Sequence, residues 1–469
     1  MRLLHTSDWH IGRTLYGVDL LPHQAAFLDW LLDQAVTHQV HAVVVAGDVY
    51  DRAVPPTDAV AVLDRALRGF AAASIPVLLT SGNHDSAVRL GFGSRLSEWA
   101  GIHLRTSVAD IARPVLLADE HGEVAVYGIP YLLPDAVMDD LAAERSHASV
   151  LAAATALIRA DAKQRGIGRT VVAAHAFVTG AAGCDSERDI RVGGIGDAPA
   201  SVFDGLTYVA LGHLHGQQDV RSGATGTTVR YCGSPLAFSF SERHHNKSVT
   251  LAEIDGVGQV SITKLAAPVP RPLREVRGML DDLLADGSAD PEGRPPGTPG
   301  GAGPGGRPAG TPRGAGRRAD LADAWLRVVL TDTIRPASPM ERLREKWPHT
   351  LVLDFDPEGE FVSAAADLGR LAKTADPVEI CELFVEFASG GPADAGQLTV
   401  LRDVIEAVLH AEEGAGAPAD PRAARAARAA ADLGDAGTID EWLANAGRDD
   451  WLLDADVAFG KRGGNPAAA

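Results

Sequence analysis

The sequence predicts an α/β fold on three observations. Short runs of β-branched and other apolar residues alternate with Ala/Leu-rich stretches of helical length, the pattern of strands connected by helices. Five short polar motifs each follow directly on an apolar run. Apolar residues make up 46% of the 469 positions at a mean hydropathy of zero, enough to bury a sizeable core and too many for a disordered chain.

The predicted strands include, in order, Arg2–Thr6, Ala42–Ala46, Pro76–Thr80, Val124–Ile129, Thr170–Ala174 and Tyr208–Leu211, runs of four to six residues that are mostly apolar in all but the first. From Gly287 to Gly316, 11 glycines and seven prolines fill 30 positions, a composition that cannot repay the entropy of ordering and predicts a disordered linker, here bounded at 286–319. Beyond it, Ala324–Leu330 reads as a strand. Ser338-Pro339-Met340-Glu341 supplies an N-cap, a proline at N1 and a glutamate at N3 for a helix that Pro348 should close. Thr350–Phe355 is a further strand, so the region reads as a small βαβ-like unit that could join residues before the linker.

Asp376-Pro377-Val378-Glu379 repeats the capping signature, with Ile380, Leu383, Phe384 and Phe387 at helical spacing. After Gly390-Gly391, Leu398, Leu401, Ile405 and Val408 fall on one side of a second helix. This amphipathic pair could fold back on its own domain or dock on a partner. Past Glu413 the chain is Ala/Gly-rich, with Arg422, Arg425 and Arg428 spaced by alanines; a weakly ordered tail with a solvated basic face is the expectation. The resulting divisions are 1–267, 268–372 with its linker, 373–412 and 413–469, in keeping with a length that suits two to three domains.

Cys184, Cys232 and Cys381 are far apart and form no CxxC pair, which speaks against a disulfide framework or a cysteine zinc site. The N-terminus lacks the apolar core of a signal peptide, and no stretch offers about 18 uninterrupted apolar residues. A cytoplasmic protein with no membrane association is expected. The net charge of −19, with the acid excess heavier towards the C-terminus, excludes a protein that holds nucleic acid by its overall field.

The five motifs are Asp8-Trp9-His10, Gly47-Asp48-Val49-Tyr50-Asp51, Gly82-Asn83-His84-Asp85, Ala174-His175 and Gly212-His213-Leu214-His215. Residues just beyond the carboxyl ends of strands in an open α/β sheet meet in one crevice, so groups distant in sequence can converge there. Asp8, Asp48, Asn83, His10, His175, His213 and His215 form a mixed oxygen and nitrogen donor set without thiolate. That set is large enough for two divalent ions if one carboxylate bridges them, and it suits Mn²⁺ or a related first-row metal. In Asp8-Trp9-His10 and His213-Leu214-His215, alternate residues of an extended segment can face one cluster. The glycines before Asp48, Asn83 and His213 are read as permitting sharp turns, and Asp48 as the bridge.

Two such ions can clamp a phosphodiester and activate a water for in-line attack. His84 is then free to protonate the leaving group, with Asp85 orienting its ring. Singly, each motif has an ordinary structural explanation as a turn or a hydrogen-bonded strand end. Five in this order, each at a strand end, do not.

The order DxH, GDxxD, GNHD, H and GHxH resembles the calcineurin-like metallophosphoesterase superfamily. Leu4–Gly12, Ala46–Asp51 and Tyr231-Cys232-Gly233-Ser234-Pro235 narrow the likeness to the SbcD family of bacterial nuclease subunits, over Met1 to about Pro270. The resemblance implies a four-layer α+β metallophosphoesterase sandwich at 1–267, a smaller α/β DNA-capping domain at 268–372 and C-terminal partner-binding helices at 373–412. It assigns Asp8, His10 and His215 to one Mn²⁺, Asn83, His175 and His213 to the other, Asp48 to both, and His84 to catalysis. Asp51 stands where some relatives have a second histidine and is read as a supporting or turn carboxylate.

The resemblance further implies a Mn²⁺-dependent exonuclease and endonuclease acting on duplex ends and hairpins in DNA repair and recombination. It implies an SbcC-like coiled-coil ATPase as partner, with two copies of this chain in a heterotetramer acting at the nucleoid. The chain has no Gly-x-x-x-x-Gly-Lys-Ser/Thr motif, so any ATP dependence would come from that partner. Arg13, Arg52, Arg191, Arg243 and Lys247 lie near the motif loops and are candidate phosphate contacts. Two other functions compete: a small-molecule phosphodiesterase with the same core, which would need neither the extra domain nor the amphipathic helices, and a scaffold that retains the site without catalysis, against which the complete ligand set and His84 argue.

Overall fold

In the computed structural model, residues 1–178, 183–187, 198–222, 226–285, 321–357, 377–389 and 393–412 are described. Strands β1 (Arg2–Thr6), β4 (Ala42–Ala46), β5 (Val77–Thr80), β6 (Ile102–Arg105), β13 (Ser248–Ile254) and β14 (Val260–Ala266) form one sheet in the order β14-β13-β1-β4-β5-β6. A second sheet has the order β11-β12-β10-β9-β8-β7, from β7 (Val115–Asp119), β8 (Gly122–Ile129), β9 (Thr170–His175), β10 (Tyr208–Gly212), β11 (Gln218–Val220) and β12 (Thr228–Tyr231). A short hairpin of β2 (Thr14–Leu15) and β3 (Val18–Asp19) follows β1.

The two sheets pack face to face through Leu3, Val44 and Leu78 on one side and Val126, Val171, Tyr208 and Ala210 on the other. Their neighbours in sequence point outward, because side chains alternate along a strand. Leu4, Val43, Val45 and Leu79 meet helices α1 (Leu21–Thr37) and α2 (Thr57–Ala72) through Phe27, Leu31, Leu63 and Phe70. Tyr127, Val172, Val209 and Leu211 meet α3 (His147–Arg165) through Val150, Leu151, Ala154 and Ile158. Burial on both faces explains why these strands read as continuous apolar runs. The layers are helix, sheet, sheet, helix, the expected sandwich.

A third, parallel sheet joins β15 (Leu273–Gly278), β16 (Trp325–Leu330) and β17 (Thr350–Phe355), covered by α4 (Leu280–Leu284) and α5 (Pro339–Lys346). β15 precedes the Gly/Pro-rich segment and β16 follows it, so residues on both sides of that segment build one sheet. Leu273 and Trp325 of this sheet pack with Leu15, Leu20, Leu236, Phe238 and Phe240 of the sandwich. The helix at Pro339 starts as predicted, but Ser338 is no cap: its backbone is left-handed (φ 45°), its side chain accepts no capping hydrogen bond, and its carbonyl accepts from the Arg342 amide instead.

Helices α6 (Pro377–Ser389) and α7 (Ala395–Glu412) belong to a separate compact unit, where Arg402 lies 3.8 Å from Glu382. Asp376, the linker at 286–319 and the tail at 413–469 lie outside the described residues. No helix among the described residues is long and apolar enough to cross a membrane.

Candidate metal centre and active site

The five motifs leave the carboxyl ends of β1, β4, β5, β9 and β10, and the sandwich brings those ends together. Asp8, His10, Asp48, His175, His213 and His215 are all buried. Among the described residues, nine non-glycine residues have positive φ, and four of them are Asp8 (52°), His10 (44°), Asp48 (48°) and His213 (103°). Such conformations cost free energy and persist where the surroundings over-determine them, which marks this cluster as a functional site.

The ring nitrogens converge in two sets. His10 Nε2 and His215 Nε2 face each other at 3.2 Å, beside Asp8. Asn83 Oδ1 lies 2.9 Å from His175 Nε2 and 3.2 Å from His213 Nδ1. Between the sets, Asp48 Oδ2 is 3.7 Å from His10 Nε2 and 3.4 Å from His175 Nε2. Two donors each about 2.1 Å from one ion stand roughly 3–3.5 Å apart, so both sets have the separations of ligands sharing a cation. All seven residues named from sequence therefore meet, and the donor set fits two divalent ions with Asp48 between them.

The electrostatics of the cluster call for positive charge. Burial pushes Asp8 up to about 6. Burial also opposes ionised Asp48, but His175 outweighs it and holds that carboxyl low. Burial works against a charged His175 as well, yet Asp48 raises it to about 9; His215 is raised against burial to about 10 by Cys184 and Glu242. Burial keeps His10 and His213 neutral, the form that donates a lone pair to a metal.

His84 is buried beside the cluster, its ring edge-on to His10 with centroids 4.7 Å apart. Its amide donates to Asp48 Oδ1 (2.9 Å) and its Nδ1 to the Asp51 carbonyl (2.8 Å). The expected orientation of its ring by Asp85 is not what the structure has. The Asp85 carboxylate accepts from the amides of Val49, Tyr50 and Gly82 at 2.9–3.0 Å, so it ties the two motif loops together. Asp51 is a neighbour of the cluster, with its carboxylate 3.6 Å from His10 Nδ1 and 3.7 Å from Arg13 Nε.

The glycines have a different reason from the one expected. Only Gly47 of the three has positive φ (84°). A Cβ at Gly82 would lie 2.0 Å from Asp48 Oδ1, one at Gly212 1.9 Å from the Ala46 carbonyl oxygen, and one at Gly47 2.5 Å from the His175 ring. They are glycines because the ligand loops pack against one another without room for a methyl group.

Of the basic residues near the loops, Lys247 is not available to DNA: it is buried, pairs with Glu242, and donates to Ser234 Oγ (2.9 Å) and the His215 carbonyl (3.1 Å). Arg243 lies 3.6 Å from Glu275 of the third sheet. Arg13 donates to the Ser186 carbonyl (2.9 Å) and stacks over Phe238, whereas the Arg52 side chain is 79% exposed. Arg191 lies outside the described residues. Sequence reasoning missed Ser186, Glu187 and Glu242, which hold His215 from behind; no spacing links them to it, although Glu242 closely follows the Tyr231–Pro235 segment.

A family model described as calcineurin-like phosphoesterase matches residues 1–217. Among curated proteins, the SbcD subunit of the nuclease SbcCD from Escherichia coli (strain K12) is 33% identical over 296 residues, 61% of this chain and 73% of that protein. The protein of the same description from Rhodobacter capsulatus is 35% identical, covering 62% of this chain and 78% of its own length, and that from Bacillus subtilis is 36% identical over 54% and 66%.

Proposed function

The chain belongs to the SbcD family of nuclease subunits, a metal-dependent phosphodiester hydrolase by its domain, and from that premise we propose that it is a Mn²⁺-dependent DNA nuclease. It cleaves at duplex ends and in hairpins or single strands, and works in the cytoplasm with an SbcC-like coiled-coil ATPase. The observation that carries the reading is the single oxygen Asp48 Oδ2, poised between His10 Nε2 and His175 Nε2.

In this reading Asp8, His10 and His215 hold one ion, Asn83, His175 and His213 the other, and Asp48 both. When bound, the two cations supply Lewis-acid stabilisation of the phosphate charge and a nucleophilic water at neutral pH. His84 donates from Nδ1 to the Asp51 carbonyl, which leaves Nε2 as the ring atom that would carry a second proton to the departing oxygen. The Asp48–His84 amide contact couples the position of this acid to that of the bridging ligand.

Two copies of the chain pair in the working complex. Val88, Leu96 and Trp99 on the short helices between Ala87 and Ala100, with Phe92 in the turn between two of them, expose 67–89% of their surface, a concentration of exposed apolar side chains in one short segment that supports this. The helices α6 and α7, whose Phe384 and Val400 are exposed, are the segment we assign to the coiled-coil partner.

The test is cleavage of linear and hairpin-ended DNA by the purified chain in Mn²⁺, with EDTA and with His84→Ala, before and after adding an SbcC-type ATPase and ATP. His84→Ala should lower turnover by about 10²- to 10⁴-fold while binding two metals as the parent does. Hydrolysis of small phosphodiesters without any DNA cleavage would overturn the nuclease reading.

A further inference from the structure

Glu242 is wholly buried and meets the cluster on the Nδ1 side of His215, away from the nitrogen that faces His10. Its carboxylate accepts from Ser186 Oγ (2.6 Å), the Phe238 amide (2.8 Å) and Ser234 Oγ (3.3 Å), lies 3.4 Å from His215 Nδ1, and pairs with Lys247. Ser186 Oγ donates to Glu242, so it receives the His215 Nδ1 proton at 2.9 Å. Lys247 in turn donates to the His215 carbonyl, and the Glu187 carboxylate accepts from the His215 amide. Ring and backbone of one residue are thus both held by a buried ion pair and its hydroxyl relays.

We propose that Glu242 and Lys247 are positioning residues for His215, fixing the tautomer with Nδ1 protonated and Nε2 turned into the metal centre. The inference rests on the reading of His215 as a metal ligand. A buried ion pair is a poor device for stability, since apolar residues of similar volume do as well or better, so its presence behind a ligand needs another reason. A carboxylate relayed to the outer nitrogen of a ligating histidine orients the ring and raises its basicity, and loss of such a partner typically costs about 10- to 100-fold in metal affinity. Here the inner nitrogen is the one that faces His10 Nε2 at 3.2 Å. Glu242 also sets the Phe238 wall: it holds the Phe238 amide, and that ring stands edge-on to His10 and His215 at 5.2 and 5.5 Å. Phe238 packs in turn with Leu273 and Trp325, so the third sheet abuts the loop that carries this network.

The experiment is a Mn²⁺ titration of the full chain, read by the paramagnetic resonance signal of free Mn²⁺, on the parent, Glu242→Gln, the double variant Glu242→Gln/Lys247→Met, and His215→Ala. The double variant removes both charges and serves if Glu242→Gln alone, with Lys247 left unpaired, does not fold. Glu242→Gln and the double variant should each weaken one of two sites by about tenfold or more and leave the other unchanged. Parent-like affinity at both sites in these variants, even with a lowered Tm, overturns the proposal, provided His215→Ala loses one ion. If His215→Ala still binds two ions with parent affinity, the assignment of His215 as a ligand fails and the proposal falls with it.

Discussion

Asp48 lies between the two candidate ligand sets, and it is confined by Gly82, where a Cβ would fall 2.0 Å from Asp48 Oδ1 and 2.3 Å from the Asp48 amide nitrogen. The carboxylate could shift, but the backbone could not. Gly82→Ala should therefore displace the bridging carboxylate and weaken Mn²⁺ binding at both sites by at least about tenfold, while circular dichroism still reports a folded chain. Titration with Mn²⁺ checks this, and loss at only one site would contradict a bridging Asp48. Asp85 belongs to the same scale: three amides of two loops converge on its carboxylate, so its work is to hold the Asp48 and Asn83 loops in register.

At the scale of elements, the ends of β7 and β9 are clamped by Arg169, which donates two hydrogen bonds to the buried Asp119 carboxylate at 2.6 and 2.9 Å and a third to the Gly122 carbonyl. The Arg169 hydrogen bonds hold the Asp119 carboxyl far below the usual carboxylate range, against the effect of burial. A depressed folded-state pKa means that the unfolded chain binds the proton more readily. The stabilisation is complete above the unfolded value near 4 and is lost as pH falls below it. Asp119→Asn should lower the urea midpoint at pH 7, and the gap to the parent should narrow as pH is taken below about 4. A gap independent of pH would show that the charge of Asp119 is not what clamps the strands.

At the scale of the whole molecule, two consequences follow from sites that act only in the assembled fold. Ions bound by the folded chain and not by the unfolded one stabilise it by mass action, about 2.7 kcal/mol per site at a free concentration 100 times Kd. Mn²⁺ should raise Tm by several degrees and EDTA should reverse the rise; a Tm indifferent to both would argue against a metal centre. The exposed apolar segment of Val88, Phe92, Leu96 and Trp99 predicts self-association. Phe92→Asp with Trp99→Asp should halve the mass measured by light scattering and leave the Mn²⁺ stoichiometry per chain unchanged, whereas a parent chain that is already monomeric would remove this segment as the pairing surface.

The strands that carry the motifs and the candidate ligands were legible in the sequence because both are local patterns: an apolar run such as Ala42–Ala46 declares itself, and Asp48 follows it directly, whereas Ile102–Arg105 and Ser248–Ile254, which carry no motif, were not read as strands. The short edge strand Gln218–Val220 and the half-exposed Val260–Ala266 carry weak apolar signals and became visible only through their pairing. Sequence also placed the parallel unit across the Gly/Pro-rich segment, but not its junction with the sandwich through Leu273 and Trp325. The residues behind the ligands were beyond its reach: Ser186, Glu187 and Glu242 reach His215 across 27–29 positions. For Lys247 the sequence suggested an exposed phosphate contact, and burial made it an internal partner of Glu242. Sequence by itself determined which chemistry the chain carries, since that depends on residue type and position along a strand. Tertiary structure alone decided which nitrogen of each histidine faces the centre, why its glycines admit no side chain, and which charges support it, because burial and close approach are properties of neighbours brought together only by the fold.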